Sequence, residues 1–254
     1  MDKRKNRINS WRLPLLAFVV IIGIWEISTD VFNINKIILP DPYTILISII
    51  TNWNILIKHT SITMIEALFG FIIGTLIGIL IAILFVYFSK AKQAFYPYAI
   101  ALKATPLYAL APLLVMWFGS GIFSKIVMSA LVAFFPILVN TVKGLTSVEQ
   151  ESYDLFRSLS ASKWQVFTKL RLPNALPYIF TALKISTTLS VVGATIAEFT
   201  GSSMGIGHLI VNASYYLDTS LMFSGIVMIS LAGVLFFYFV DYIEQKMVFW
   251  QKND

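Results

Sequence analysis

The 254-residue chain contains no cysteine. It can build neither a disulfide framework nor a thiolate site. Histidine is almost as scarce, present only as His59 and His208. Two histidines so far apart, without clustered carboxylates, supply no metal site of the usual ligand spacing. Charged residues make up 13% of the chain, where a soluble domain carries roughly 25%. That deficit excludes an ordinary soluble globular fold. No G-x-x-x-x-G-K-[ST] stretch occurs, so the chain has no phosphate loop with which to hydrolyse a nucleotide itself. Internal repeats and low-complexity segments are lacking too.

Apolar sequence fills the space. Hydrophobic residues reach 57%, the mean hydropathy is +0.78, and several apolar runs approach the ~20 residues that cross a bilayer as a helix. The pattern predicts an all-α polytopic membrane protein with about six spans, near 13–31, 60–88, 95–118, 122–142, 178–200 and 221–243. The second is long enough to tilt or to project beyond the lipid. Residues 1–12 form a basic N-terminus, and 32–59 a first loop on the other side. A core occupies 60–250, interrupted by a long polar connection at 143–177. The first apolar run resembles a signal peptide, but it is long and no small-residue cleavage site follows. An uncleaved span is expected.

The net charge of +6 points to membrane orientation, not to nucleic acid. Fourteen lysines and arginines fall in the N-terminus, the second–third and fourth–fifth loops and the tail, against Lys36, Lys58 and Lys125 opposite. By the positive-inside rule both termini and the 143–177 connection are cytoplasmic, in a multi-pass protein of the cell membrane. On the outer side, Leu39-Pro40-Asp41-Pro42 predicts an extended turn. ILISII after it suits a helix along the membrane surface. The loop at 201–220 suits a short re-entrant or surface helix.

Charges inside spans are expensive and need a reason. Glu66 and Glu198 lie toward the outer side, where they would either line a path or hydrogen-bond between helices. Lys103 and Lys184 sit near inner span ends and are expected to snorkel to the headgroups. Thr105-Pro106 and Ala111-Pro112 interrupt the third span. Such breaks are tolerated in lipid only beside protein or a water-filled path. Thr105 and Pro106, with Glu66 and Glu198, are therefore candidate path residues. Gly70, Gly74 and Gly78 form a small-residue stripe that suits close helix packing. GSSMG at 201–205 is literally G-x-S-x-G, but a nucleophile elbow needs a preceding strand and a positioned His and acid. His208 is only five residues from Ser203, and a glycine-rich turn is the simpler reading. An intramembrane serine protease is the competing one.

The polar connection contains two short helices by pattern. VEQESYDLFRSL starts with Glu149 and Glu151, which suit a helix N-terminus. KWQVFTKLRL follows Ser162, a plausible N-cap, and is expected to end before Pro173. Trp164, Phe167 and Leu170 share one face, with Lys163, Lys169 and Arg171 on or near the other. Taken alone, this could be an amphipathic helix resting on anionic headgroups.

Its spacing, however, resembles the cytoplasmic EAA loop of ATP-binding-cassette importer permeases. In that family EAA is followed by three residues, Gly, nine residues, Ile, one residue and Leu-Pro. Here Asp154-Leu155-Phe156 stands at EAA, Ser160 at Gly, Leu170 at Ile, and Leu172-Pro173 matches outright. Asp for Glu, bulky residues for both alanines and Ser for Gly are departures. A glycine turn made by Ser160 requires either a negative φ or tolerated strain. KATPLYALAPLLVMWFGSGIFSKI, FFPILVNTVKGLTSV, LPNALPYIFTALKIS and AEFTGSSMGIGHLI are similar to the nitrate/sulfonate/taurine type of these permeases. The resemblance covers about 30 to 250.

The resemblance implies a transport subunit, not an enzyme. It also implies a coupling helix in which Asp154, Leu155, Phe156, Arg157, Leu159, Ser160, Trp164, Phe167, Leu172 and Pro173 serve the ATPase contact. Expected partners are a cytoplasmic ATPase dimer that holds ATP-Mg, a second permease copy and an extracytoplasmic solute-binding protein, within the lipid bilayer. No cofactor or metal is expected on this chain. Family members of this type move small oxyanions, and related ones move vitamin precursors. ATPLYALAPL, ISTTLSVVGATIAEFTG and TMIEALFGF look closer to the pyrimidine-precursor members. An ion-coupled secondary transporter is the alternative. It would need coupling residues near mid-membrane and usually a repeated half, and neither is evident.

Overall fold

A computed structural model describes residues 3–104 and 106–250. The described residues form helices α1 (Lys3–Val31), α2 (Pro42–Thr51), α3 (Trp53–Tyr87), α4 (Ser89–Ala104), α5 (Ala111–Phe118), α6 (Ile122–Thr146), α7 (Gln150–Ser158), α8 (Lys163–Val166), α9 (Leu172–Phe199), α10 (Ile206–Tyr215) and α11 (Thr219–Met247). A 3₁₀ turn (Leu107–Leu110) precedes α5, and a π turn (Phe167–Arg171) joins α8 to α9. Five segments are long and apolar enough to cross a membrane: α1, α3, α6, the continuous run Lys163–Phe199, and α11.

Two expectations need correction. The span expected at 95–118 is not one helix: α4, the 3₁₀ turn and α5 divide it. Pro106 and Pro112 lack the N–H that would continue a helix and disfavour helical geometry in the residue before them. Thr105 lies outside the described residues. The second correction is at Pro173. The helix does not stop there but runs on from α8 into α9. The widened π turn makes this possible, because the Leu172 N–H reaches the Phe167 carbonyl, five residues back. In an α-helix the proline ring would clash with the carbonyl four residues before it. The bulge relieves that clash just where the proline enters.

α3, α6 and α9 make the core. α3 is 35 residues long, about 52 Å at 1.5 Å per residue, against a hydrocarbon thickness of about 30 Å. It begins earlier than the hydropathy pattern predicts and projects at its start. Its glycines decide how closely α6 can approach. A Cβ on Gly74 would stand 2.6 Å from the Ala130 carbonyl oxygen, and one on Gly70 would stand 2.3 Å from Ser129 Oγ. Contact this close lets small polar groups bridge the helices. Ser129 donates to the Ser190 carbonyl at 2.9 Å, and Ser186 donates to the Ala133 carbonyl at 2.9 Å. α11 leans on this core through Phe236 and Val240, with Phe71 edge-on to Phe236 at 5.2 Å. α1 lies outside, its lipid-length window largely uncovered, and touches α11 where Trp25 meets Phe223 at 5.9 Å.

At the start of α2, Asp41 caps the helix by accepting from the Thr44 N–H at 2.6 Å. Lys36 pairs with its other oxygen at 2.8 Å. Lys36, followed by Thr44, holds the Asp41 carboxyl well below the usual range, at about 2. Pro42 follows the cap in the first turn of the helix, where a missing N–H costs nothing.

Candidate functional site

The α7–α8 corner combines two capped helix ends with exposed apolar side chains. α7 ends in a Schellman motif: the Ser160 N–H bonds the Arg157 carbonyl and the Ala161 N–H bonds the Phe156 carbonyl, both at 3.0 Å. The residue after the cap in this motif is left-handed and usually glycine. Here it is Ser160, with φ +51°. The chain then restarts with a capping box. Ser162 Oγ accepts from the Gln165 N–H at 3.2 Å, and Gln165 Oε1 accepts from the Ser162 N–H at 2.7 Å. Two rigid ends therefore frame a four-residue corner.

This corner exposes large apolar side chains. Leu155 is 58% exposed, Leu159 70% and Trp164 69%. Phe156 is half-buried, while Asp154 and Arg157 face outward. Gln150 Nε2 donates to Asp154 Oδ1 at 3.1 Å and orients that carboxylate. Phe167 points the other way. It is buried with Leu145, Ala175 and Ile179, stacks on Trp164 at 5.8 Å and meets Tyr87 at 5.9 Å. The aromatic row Trp164–Phe167–Tyr87 joins the corner to the end of α3. Leu172 and Pro173 are half-buried in the exit. Asn174 Nδ2 donates to the Gly144 carbonyl at 3.0 Å and to Ser147 Oγ at 2.9 Å, fixing the start of α9 to the end of α6. The corner is thus joined to α3, α6 and α9 by packed side chains and hydrogen bonds.

At the other end of the same helices lies a buried polar cluster. Glu198 accepts from Thr63 Oγ1 at 2.6 Å through one oxygen and from the Gly207 N–H at 2.6 Å through the other. Thr63 Oγ1 in turn accepts from the Ile206 N–H at 2.8 Å. His59 Nδ1 meets the Gly205 carbonyl at 2.9 Å. The start of α10 is thus pinned to α3 and α9. Gly205, at φ +98°, makes the turn; a Cβ there would collide with the Glu198 carboxylate at 1.9 Å. Glu66 is 2% exposed, with one carboxyl oxygen unpartnered. It faces Glu198 and Lys125. Lys125 is itself fully buried and donates to the Ser120 carbonyl.

Comparison with known proteins decides what this architecture is. Residues 74–249 match the family described as binding-protein-dependent transport system inner membrane component. The chain belongs to that family. It is 33% identical to the formylaminopyrimidine transport permease protein ThiX of Halalkalibacterium halodurans, over 94% of this chain and 96% of the relative. It is 30% identical to the riboflavin transport system permease protein RibX of Chloroflexus aurantiacus, over 95% of this chain and 90% of the relative. Among solved structures, a chain of the inward-facing MetNI methionine ABC transporter shares the fold with TM-score 0.61 at 19% identity, covering 76% of this chain and 94% of that one.

The permease is the membrane subunit of an ATP-driven importer, not itself an enzyme, and works with an ATPase and a binding protein. Family membership leaves no place for the secondary-transporter or protease readings. The G-x-S-x-G stretch is a turn between α9 and α10, and among the described residues Ser203 has no hydrogen bond to His208. Of the expected path residues, the fold brings Glu66 and Glu198 together inside the protomer. Pro106 lies exposed on the broken segment. Lys184 does not reach for the headgroups but pairs with Asp241 at 3.1 Å and with Glu244 on α11. Sequence reading missed Thr63 and His59. Thr63 is 135 residues from its partner Glu198, and a lone threonine in an apolar helix carries no signal.

Proposed function

We propose that the permease works as a homodimer, with the α7–α8 corner in the cytoplasm as its coupling element and the α10 end outside. Each corner docks on one subunit of an ATPase dimer, which holds the ATP-Mg. Leu155, Phe156, Leu159 and Trp164 anchor the contact, while Asp154 and Arg157 orient it. Ser160 shapes the turn, and Phe167, Leu172 and Pro173 pass the stroke into the spans. Thr105 and Pro106 border the solute path, and Glu66 and Glu198 fix the shape of its outer end. The observation that carries this reading is the pair of capped helix ends presenting Leu155, Leu159 and Trp164 to the outside. So much exposed apolar surface at a polar helix corner marks a protein contact.

The solute is a small heteroaromatic vitamin precursor of the pyrimidine type. Support comes from the likeness to the formylaminopyrimidine permease over nearly the whole length of both chains. The binding protein, expected outside, sets specificity.

Co-purification tests the coupling reading. The double variant Asp154→Arg/Phe156→Asp is expected to lose the ATPase, while the membrane part still elutes as a folded dimer. Recovery of the ATPase at wild-type stoichiometry would overturn the assignment.

A further inference from the structure

Between α7, α8 and the end of α3 lies a pocket of about 370 Å³, within the range of small-molecule sites. Three cations line it, Arg157, Lys163 and Arg171, together with Tyr87, Tyr153 and Phe167. No acidic residue is in the lining. Among the described residues none of the three cations makes an ion pair. Arg171 is held in place, its guanidinium 5.6 Å from the centre of the Tyr153 ring. The acids of α7 lie elsewhere: Asp154 is engaged by Gln150, and Glu151 is exposed in the first turn. Three like charges gathered around one concave space raise its positive potential and attract an anion. Arginine favours phosphate oxygens because its planar donors match them in pairs.

The place of the pocket says where that anion comes from. Its apolar walls are Val86 and Tyr87, the last two residues of the lipid-length helix α3, and buried Phe167. Tyr87 is 45% exposed and Phe88 beside it 61%. A tyrosine at a span end marks the headgroup level. Basic pockets at that depth take lipid phosphates.

We propose that the Arg157–Lys163–Arg171 pocket binds the phosphate of an anionic lipid headgroup and thereby ties the α7–α8 corner to the membrane surface. The lipid bridges α7 and α8 beside the Schellman turn, on the side away from Leu155 and Leu159. It acts as a fulcrum for the corner and leaves Leu155, Leu159 and Trp164 free to dock, with Arg157 at the edge shared by the two contacts.

Native mass spectrometry of the intact permease–ATPase complex tests this. The detergent-purified complex is titrated with phosphatidylglycerol, phosphatidylcholine or inorganic phosphate. Phosphatidylglycerol is expected to bind in preference to phosphatidylcholine. Inorganic phosphate in excess is expected to displace it only weakly, since the apolar walls hold the acyl region. Lys163→Gln and Arg171→Gln should each weaken phosphatidylglycerol binding about fivefold, the effect of about 1 kcal/mol per cation at an anionic surface. Lys169→Gln, outside the pocket, should leave it unchanged. Subunit stoichiometry in the same spectra shows that each variant is assembled. The proposal is overturned by equal binding of the two lipids, by loss of affinity in Lys169→Gln equal to that in Arg171→Gln, or by binding to the permease alone that vanishes on assembly. The last would mean that an acidic group of the ATPase fills the pocket. Phosphate bound tightly with no lipid preference would point to a soluble anion and sink the lipid assignment.

Discussion

Ser160 is one of three non-glycine residues held in the left-handed region among the described residues, with Asn33 and Leu217. A left-handed conformation costs a non-glycine residue roughly 1–2 kcal/mol, yet the Schellman hydrogen bonds hold Ser160 at φ +51°. Ser160→Gly removes that cost but widens the unfolded ensemble. A net gain of about 1 kcal/mol is expected, which raises the thermal midpoint by about 2 °C. Ser160→Val, with a β-branched side chain, is expected to move it down. A midpoint that falls on Ser160→Gly would mean the turn does not sit in the left-handed region. The motif spacing already placed a turn at this residue, but the sign of φ was not legible, since serine populates both regions in principle. The Glu198–Thr63–Gly207 cluster was less legible still. Glu198 could be singled out because a charge in a span needs a partner. The partners, a hydroxyl from α3 and a backbone N–H from the next turn, are set by tertiary packing alone.

Among the helices, α3 and α6 show how much a glycine stripe decides. At Gly74 an added Cβ meets backbone, the Ala130 carbonyl at 2.6 Å, and backbone cannot rotate away. Gly74→Ala is therefore expected to push α3 off α6 and to destabilise by about 1–3 kcal/mol, as overpacking does. Gly23 in α1 has nothing within 4 Å of the same position. Gly23→Ala should be neutral or stabilising by up to about 1 kcal/mol. Unfolding midpoints of the two variants in one detergent measure the contrast, and equal effects would refute close packing at Gly74. The four-residue repeat of the stripe made this contact readable. The long spans were readable for a similar reason, since their apolar runs have no soluble explanation. Two elements resisted. The crossing at 95–118 is apolar enough to read as one span, and only Pro106 and Pro112 hinted at the break. The continuation through Pro173 depends on a π turn at Phe167–Arg171, a backbone choice with no local residue signature.

For the whole molecule, the corner matters because its buried side packs on three core helices together. Phe167 packs on residues from α6 and α9 and touches the end of α3, whereas Leu155, Leu159 and Trp164 are left uncovered. A partner that covers them binds only the folded permease, so it must also stabilise it. At one hundred times the dissociation constant the gain is about 2.7 kcal/mol. The double variant Leu155→Asp/Leu159→Asp changes exposed side chains only. Its own unfolding midpoint should stay within about 0.5 kcal/mol of wild type. Addition of the ATPase should raise the wild-type midpoint and leave that of the variant in place. The comparison separates docking from folding, because a merely structural corner would lower the first midpoint and leave the shift on ATPase addition intact. A variant that is stabilised as strongly as wild type would show that the ATPase grips the permease elsewhere, and the exposed row would then need another partner.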